Sequence, residues 1–193
     1  MQKKREGVMR PEEETEKEQE GEQKWDRWQK DRTFVRAVVG KYAEIYKDLL
    51  KQPRVYKSKD MNWKGGPSKW GKNVVNPQRT MITQAIETHI DCLTPTSHGQ
   101  KHGHMNSAVF YILEGNGYDV HDGVKYPWQA GDICIVENMC VHQHFNSDPK
   151  KPARYVIFKA KPTFIFFHLV FQRTVEYPPK DPVPGFEHFH PEP

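Results

Sequence analysis

Apolar and polar residues recur along this chain with two different periods. Between Thr33 and Lys51, the residues Val35, Val38, Val39, Tyr42, Ile45, Tyr46 and Leu49 return every three to four positions. That spacing puts them on one stripe of an α-helix. Asp31 or Thr33 can cap its start, and Pro53 stops it. From Met81 onward the period shortens to two. Strands are predicted at Met81–Leu93, Ser107–Leu113, Ile133–Val136, Val141–Phe145 and Ala153–Ala160. Tyr118–Lys125 reads as a hairpin turning at Asp122-Gly123. Thr163–Phe171 is apolar on all sides and reads as a buried strand or a buried helix.

Short strands broken by Gly and Pro turns predict an all-β fold, a small antiparallel barrel or double-sheet jelly roll with an N-terminal helical extension. The resulting layout is a charged arm at 1–32, the helix at 33–52, a loop-rich segment at 53–80, the barrel at 81–177 and a Pro-rich tail at 178–193. Trp25 and Trp28 on the arm, and Trp63 and Trp70 among the lysines of the loop, are candidate anchors.

Composition narrows the function classes. The 193 residues carry a formal net charge of +4 with no basic stripe, which argues against nucleic acid and suits a small anionic partner. The longest apolar run is too short to span a bilayer, so no membrane association is expected. Three cysteines, Cys92, Cys134 and Cys140, are no disulfide framework, and the first residues lack a signal-peptide pattern. A cytoplasmic location is the expectation. The helix, the 163–171 run and the tail are candidate contacts for a homodimer or higher homo-oligomer.

The chemistry concentrates in histidine, of which there are ten. His102 and His104 flank Gly103, and on a strand residues i and i+2 face one side. His142 and His144 repeat this arrangement about forty residues later. Tight-turn residues, Glu114-Gly115-Asn116-Gly117 and Gly131-Asp132, lie between. Two such strands side by side would converge three imidazoles on one point and leave open positions on a metal.

The runs His102-Gly103-His104…Glu114-Gly115-Asn116-Gly117 and Gly131-Asp132…His142-Gln143-His144-Phe145-Asn146 resemble the two characteristic motifs of the cupin superfamily. Within it they are most similar to the gentisate 1,2-dioxygenase group. The resemblance implies His102, His104 and His142 as ligands of a divalent metal, Fe(II) first, with Zn, Mn or Ni as alternatives. It also implies a barrel that dimerises. Many cupins add a glutamate where this chain has Ala108, and the gentisate-type enzymes lack it too. Without that carboxylate the charge of the metal stays uncompensated, which favours a chelating anionic or aromatic substrate. The resemblance also implies that His144 lies near the substrate, where it could accept a phenolic proton; the alternative is a structural histidine bonded to backbone. Two departures separate the chain from the gentisate type. Phe110 stands where those enzymes carry the arginine that meets the substrate carboxylate, so Arg154, Lys159 or a basic residue of the 54–72 loop would have to replace it. Glu137 and Met139 are the second departure, and Glu137 is a candidate general base or a rim carboxylate. His98 and the tail pair His188 and His190 remain secondary candidates, and His168 reads as a core or interface histidine.

The reading that follows is an Fe(II) dioxygenase acting on a hydroxylated aromatic acid or related chelating anion, with His144 and Glu137 as candidate catalytic residues. The alternatives are a metal-dependent lyase, isomerase, decarboxylase or hydrolase on the same three histidines, or a non-catalytic ligand-binding cupin.

Overall fold

The computed structural model describes residues 47–76 and 85–192. The chain divides into two units, 1–52 and 53–193. Of the first unit, residues 47–50 are helical, the end of the helix expected at 33–52. Its other turns, the 1–32 arm with Trp25 and Trp28, and the start of the strand expected at Met81 lie outside the described residues.

Among the described residues, the second unit has eleven strands in two antiparallel sheets. They are β1 (Lys64–Gly65), β2 (Lys69–Val75), β3 (Glu87–Leu93), β4 (Lys101–His104), β5 (Ala108–Glu114), β6 (Asn116–His121), β7 (Val124–Gln129), β8 (Ile133–Val136), β9 (Val141–Asn146), β10 (Ala153–Lys159) and β11 (Gln172–Glu176). One sheet runs β1-β2-β3-β10-β5-β8 and the other β11-β4-β9-β6-β7. Consecutive strands cross repeatedly from one sheet to the other, as in a jelly roll, so residues distant in sequence face each other across the interior.

The alternation in β5 shows how the sequence sets the inside. Ala108, Phe110 and Ile112 are buried while Val109, Tyr111 and Leu113 are exposed. Ala153, Tyr155 and Ile157 on β10, Leu93 on β3, Val136 on β8 and Trp128 on β7 complete one apolar cluster. The β6–β7 hairpin forms as expected. Asp122 and Gly123 have φ of 46° and 90°, the pair of left-handed residues that a tight two-residue turn requires. Pro127 lies on β7, an edge strand, where its missing N–H costs no ladder bond.

Three expectations need correction. The segment read as loop-rich contributes the seven-residue strand β2, which pairs along β3. The run Thr163–Phe171 is not buried: a short helix, α1 (Lys161–Phe166), buries only Pro162, and Phe166, Phe167, Leu169 and Phe171 are exposed. Periodicity could not show this, because an all-apolar run carries no information about which side meets a partner. His168, in the same run, is exposed and not a core residue. The tail is irregular and lies on its own chain: Trp63 Nε1 donates to the Glu192 carbonyl at 2.9 Å, and His190 packs edge-on against Trp70. Trp63 and Trp70 thus anchor the tail and do not line the site described next. Among the described residues, no helix is long and apolar enough to cross a membrane.

Candidate metal centre

Strand register assembles the site. β4 lies beside β9 with His102 opposite His142, and β9 lies beside β6 with His142 opposite His121 and His144 opposite Asp119. Directly opposed residues point to the same side of a sheet, so these groups share one inner face. Gly103 permits the close fit of β4 on β9. A Cβ there would sit 3.2 Å from the Cys140 carbonyl oxygen and from a Val141 methyl.

The ring centroids of His102 and His142 are 4.4 Å apart, those of His104 and His142 4.8 Å, and those of His102 and His104 5.4 Å. One nitrogen from each ring lies within 4.8 Å of the other two. The opposite edge of each ring faces backbone. His104 Nδ1 lies 2.6 Å from the Asn106 carbonyl, His102 Nδ1 3.3 Å from that of Gln100, and His142 Nδ1 3.3 Å from that of Cys140. A carbonyl only accepts, so each Nδ1 carries the proton and each Nε2 keeps its lone pair. Burial, reinforced by the neighbouring histidines, pushes the His102 pKa down to about 3 and that of His142 to about 2. Burial lowers His104 as well. At neutral pH the three rings are therefore uncharged, the form a metal ion needs.

The three histidines line a cavity of about 140 Å³. Ala108, Phe110, Val136 and Ile157 form its apolar wall, and Ala108 lies where a carboxylate ligand could have pointed inward. The other wall is basic: Lys69, Lys159 and Lys161 all reach it. Lys69 Nζ pairs with the buried Asp91 at 2.7 Å, and Lys159 Nζ with Glu87 at 3.1 Å. Burial holds the Lys159 pKa below its ordinary value, against the pull of Glu87. Of the basic residues considered to stand in for the missing arginine, Lys159 and Lys69 face the cavity. Arg154 does not line it, and its Nε lies 3.4 Å from Glu114.

His144 also lines the cavity, edge-on to Phe110 at 5.0 Å. Its Nδ1 lies 2.8 Å from Asp119 Oδ1. Asp119 accepts a further bond from Trp128 Nε1 at 2.8 Å and faces His121 Nε2 at 3.4 Å. Burial acts to raise the pKa of Asp119, but His144, His121 and Trp128 together hold it well below the carboxylate range. An ionised Asp119 fixes His144 with Nδ1–H toward it and Nε2 toward the cavity.

Glu137 is placed elsewhere. It does not line the histidine cavity but faces His121, with Oε2 2.9 Å from Nδ1, in a recess formed with Tyr126, Trp128, Ile133 and Ile135. The general-base role considered for it in the histidine pocket is thus without geometric support. Glu137 follows directly on β8, at the start of the turn to β9. His98 bonds Gly99 and Gln143 and does not reach the cavity. Asp119 and His121, both buried, join the site from the β6–β7 hairpin and are not among the candidates the motifs point to. They are a third i, i+2 pair of polar residues on a strand, the same signal that marks His102/His104 and His142/His144.

Comparison with known proteins agrees with this fold. Residues 90–159 match the family model of the cupin domain. A 76-residue stretch is 30% identical to a 5-aminosalicylate 1,2-dioxygenase from Comamonas sp, covering 39% of this chain and 20% of that protein. Among solved structures, a salicylate 1,2-dioxygenase from Pseudaminobacter salicylatoxidans superposes with a TM-score of 0.51 at 15% identity, over 69% of this chain and 35% of that one. The gentisate adduct of that dioxygenase superposes with a TM-score of 0.52 at 16% identity, over 68% and 36% of the two chains. At such identities the structural likeness shows the fold. The chain spans a fifth of the curated relative it matches and about a third of the solved ones. Fold, motif spacing and family model converge on one statement: residues 90–159 of this chain match the cupin domain and lie on a jelly-roll fold, with distant similarity to a 5-aminosalicylate 1,2-dioxygenase.

Proposed function

We propose that this chain is a metal-dependent cupin enzyme that uses Fe(II) and dioxygen to cleave a hydroxylated aromatic acid or a related chelating anion. One observation carries the reading: three neutral imidazoles, with no carboxylate among them, converge in a cavity rimmed by Lys69, Lys159 and Lys161. His102, His104 and His142 would hold the ion through their Nε2 atoms, and an iron ion there would supply the chemistry toward dioxygen. The protein's own residues do the rest. Lys159 and Lys69 attract and orient the substrate carboxylate in the part that an arginine at Phe110 cannot play. Phe110, Val136 and Ile157 exclude water and offer an apolar wall to an aromatic ring. His144 takes the proton of a substrate hydroxyl on Nε2, and the ionised Asp119 behind it stabilises the resulting imidazolium. The similarity to a 5-aminosalicylate dioxygenase supports an aromatic acid as the substrate class.

A second reading keeps the site and drops dioxygen: a lyase, isomerase, decarboxylase or hydrolase with Zn, Mn or Ni as Lewis acid. The observation favouring it is the buried Asp91, which brings an ionised carboxylate and a paired Lys69 into the same cavity. Oxygen-electrode assays separate the two. Protein loaded anaerobically with Fe(II) is expected to consume oxygen when salicylate, gentisate or 5-aminosalicylate is added, with loss of the aromatic absorbance. No uptake with any hydroxybenzoate, together with turnover of a substrate under argon by the Zn or Mn form, would overturn the dioxygenase reading.

A further inference from the structure

A second set of ligating atoms lies beside the three-histidine cavity without lining it. A His121 ring nitrogen, a Glu137 carboxylate oxygen and Cys140 Sγ lie within 4.8 Å of one another, and His121 Nδ1 is 2.9 Å from Glu137 Oε2. They come from separate segments. His121 ends β6, while Glu137 and Cys140 sit on the turn joining β8 to β9, whose Met139 is held at φ 69°. Two features of the surroundings suit an ion. First, the far side of the His121 ring faces a carboxylate, Nε2 lying 3.4 Å from Asp119 Oδ2. A carboxylate behind an imidazole is the arrangement that orients a metal-ligating histidine: it accepts the Nε2–H hydrogen bond and leaves the Nδ1 lone pair aimed at Glu137 and Cys140. Second, the cluster has both a buried and an open side. Cys140 and His121 are buried, whereas 56% of the Glu137 side chain is exposed, which gives an ion a route in.

We infer that His121, Glu137 and Cys140 form a second cation site, for a borderline-soft divalent ion such as Zn²⁺. The donor set selects the metal. One sulfur, one imidazole nitrogen and one carboxylate oxygen are all accepted by zinc, whereas calcium and magnesium take oxygen almost exclusively. The two sites differ in charge. The three imidazoles leave the whole 2+ uncompensated, while a thiolate and a carboxylate would neutralise it, so the second ion holds structure and has no need of an anionic substrate. Cys140 is two residues from His142, and an ion there pins the turn that leads His142 into β9. The competing arrangement has no ion: His121 is protonated between Asp119 and Glu137, and Cys140 is a buried thiol.

Metal titration of chelator-stripped protein with Co²⁺ distinguishes them. The wild-type chain is expected to bind two equivalents and to show a thiolate-to-cobalt charge-transfer band in the near ultraviolet. Glu137→Gln and Cys140→Ser should each bind one equivalent, and Cys140→Ser should lose the band. His102→Ala should keep the band, since the second site does not use that residue. This last variant separates the inference from the proposed function, because a dead three-histidine centre leaves it standing. No charge-transfer band in the wild type, or a Glu137→Gln stoichiometry equal to that of the wild type, overturns it. Glu137 is the most exposed of the three ligands, so its variant keeps the test decisive if Cys140→Ser fails to fold.

Discussion

The two inner faces of this barrel share a cavity and little else. From one sheet come Leu93, Phe110, Ile112, Val136, Tyr155 and Ile157, a close-packed apolar layer. From the other come His102, His104, Asp119, His121, His142 and His144, six ionisable groups on three adjacent strands, all buried except the half-buried His102. Each side chain on the first face contributes stability by leaving water. Each on the second costs desolvation that only hydrogen bonds, ion pairs or a metal offset. One face therefore holds the fold together, and the other is kept for chemistry at some expense to the fold.

That division predicts opposite consequences for equally buried residues. The largest effect is expected from His142→Ala. It should abolish metal binding at the three-histidine centre, read by metal analysis after dialysis, while the variant keeps a wild-type circular dichroism spectrum. Loss of the fold together with the metal would mean that the polar face is structural, and the comparison would break. Phe110→Ala is the converse. A fully buried ring removed from the apolar layer should cost about 3–5 kcal/mol in urea unfolding, with the remaining folded fraction still able to bind metal.

The smallest effect is a pH dependence that belongs to the histidine face alone. His102 and His142 have pKa values of about 3 and about 2 when folded, against an ordinary 6.5. The unfolded chain therefore binds more protons between these limits. Stability of the metal-free protein should be full above about pH 6.5 and fall as the pH drops toward 3. Asp119, held low, adds to the loss in acid. His121 works the other way, because its bonds to Asp119 and Glu137 raise its pKa: its contribution is present below pH 6.5 and is lost as the pH rises through that raised value. Urea midpoints between pH 7 and pH 4 should decline for the wild type and decline less for His142→Ala. Equal slopes would remove the histidines as the cause.

Much of this was legible in the residue pattern, for a local reason. Alternation along β5, β9 and β10 states which side is inside, the Asp122-Gly123 pair states where a hairpin turns, and His-x-His puts two imidazoles on one face, because each depends only on the backbone geometry of a few neighbouring residues. What failed was non-local. The strand β2 is held by its pairing with β3 rather than by propensity, so Trp70 and its lysines looked like loop. Thr163–Phe171 looked buried because hydrophobicity does not reveal whether a covering partner exists.

By itself, then, the sequence determined an all-β jelly roll and a set of histidines able to converge, since both follow from short-range periodicity and from motif spacing. Tertiary structure alone decided what surrounds them. It placed Asp119 behind His144, set Lys69 and Lys159 in the cavity while Arg154 turned to Glu114, and moved Glu137 out to meet His121 and Cys140. Those choices depend on the register between strands, such as His102 opposite His142 and His144 opposite Asp119, which no local pattern encodes.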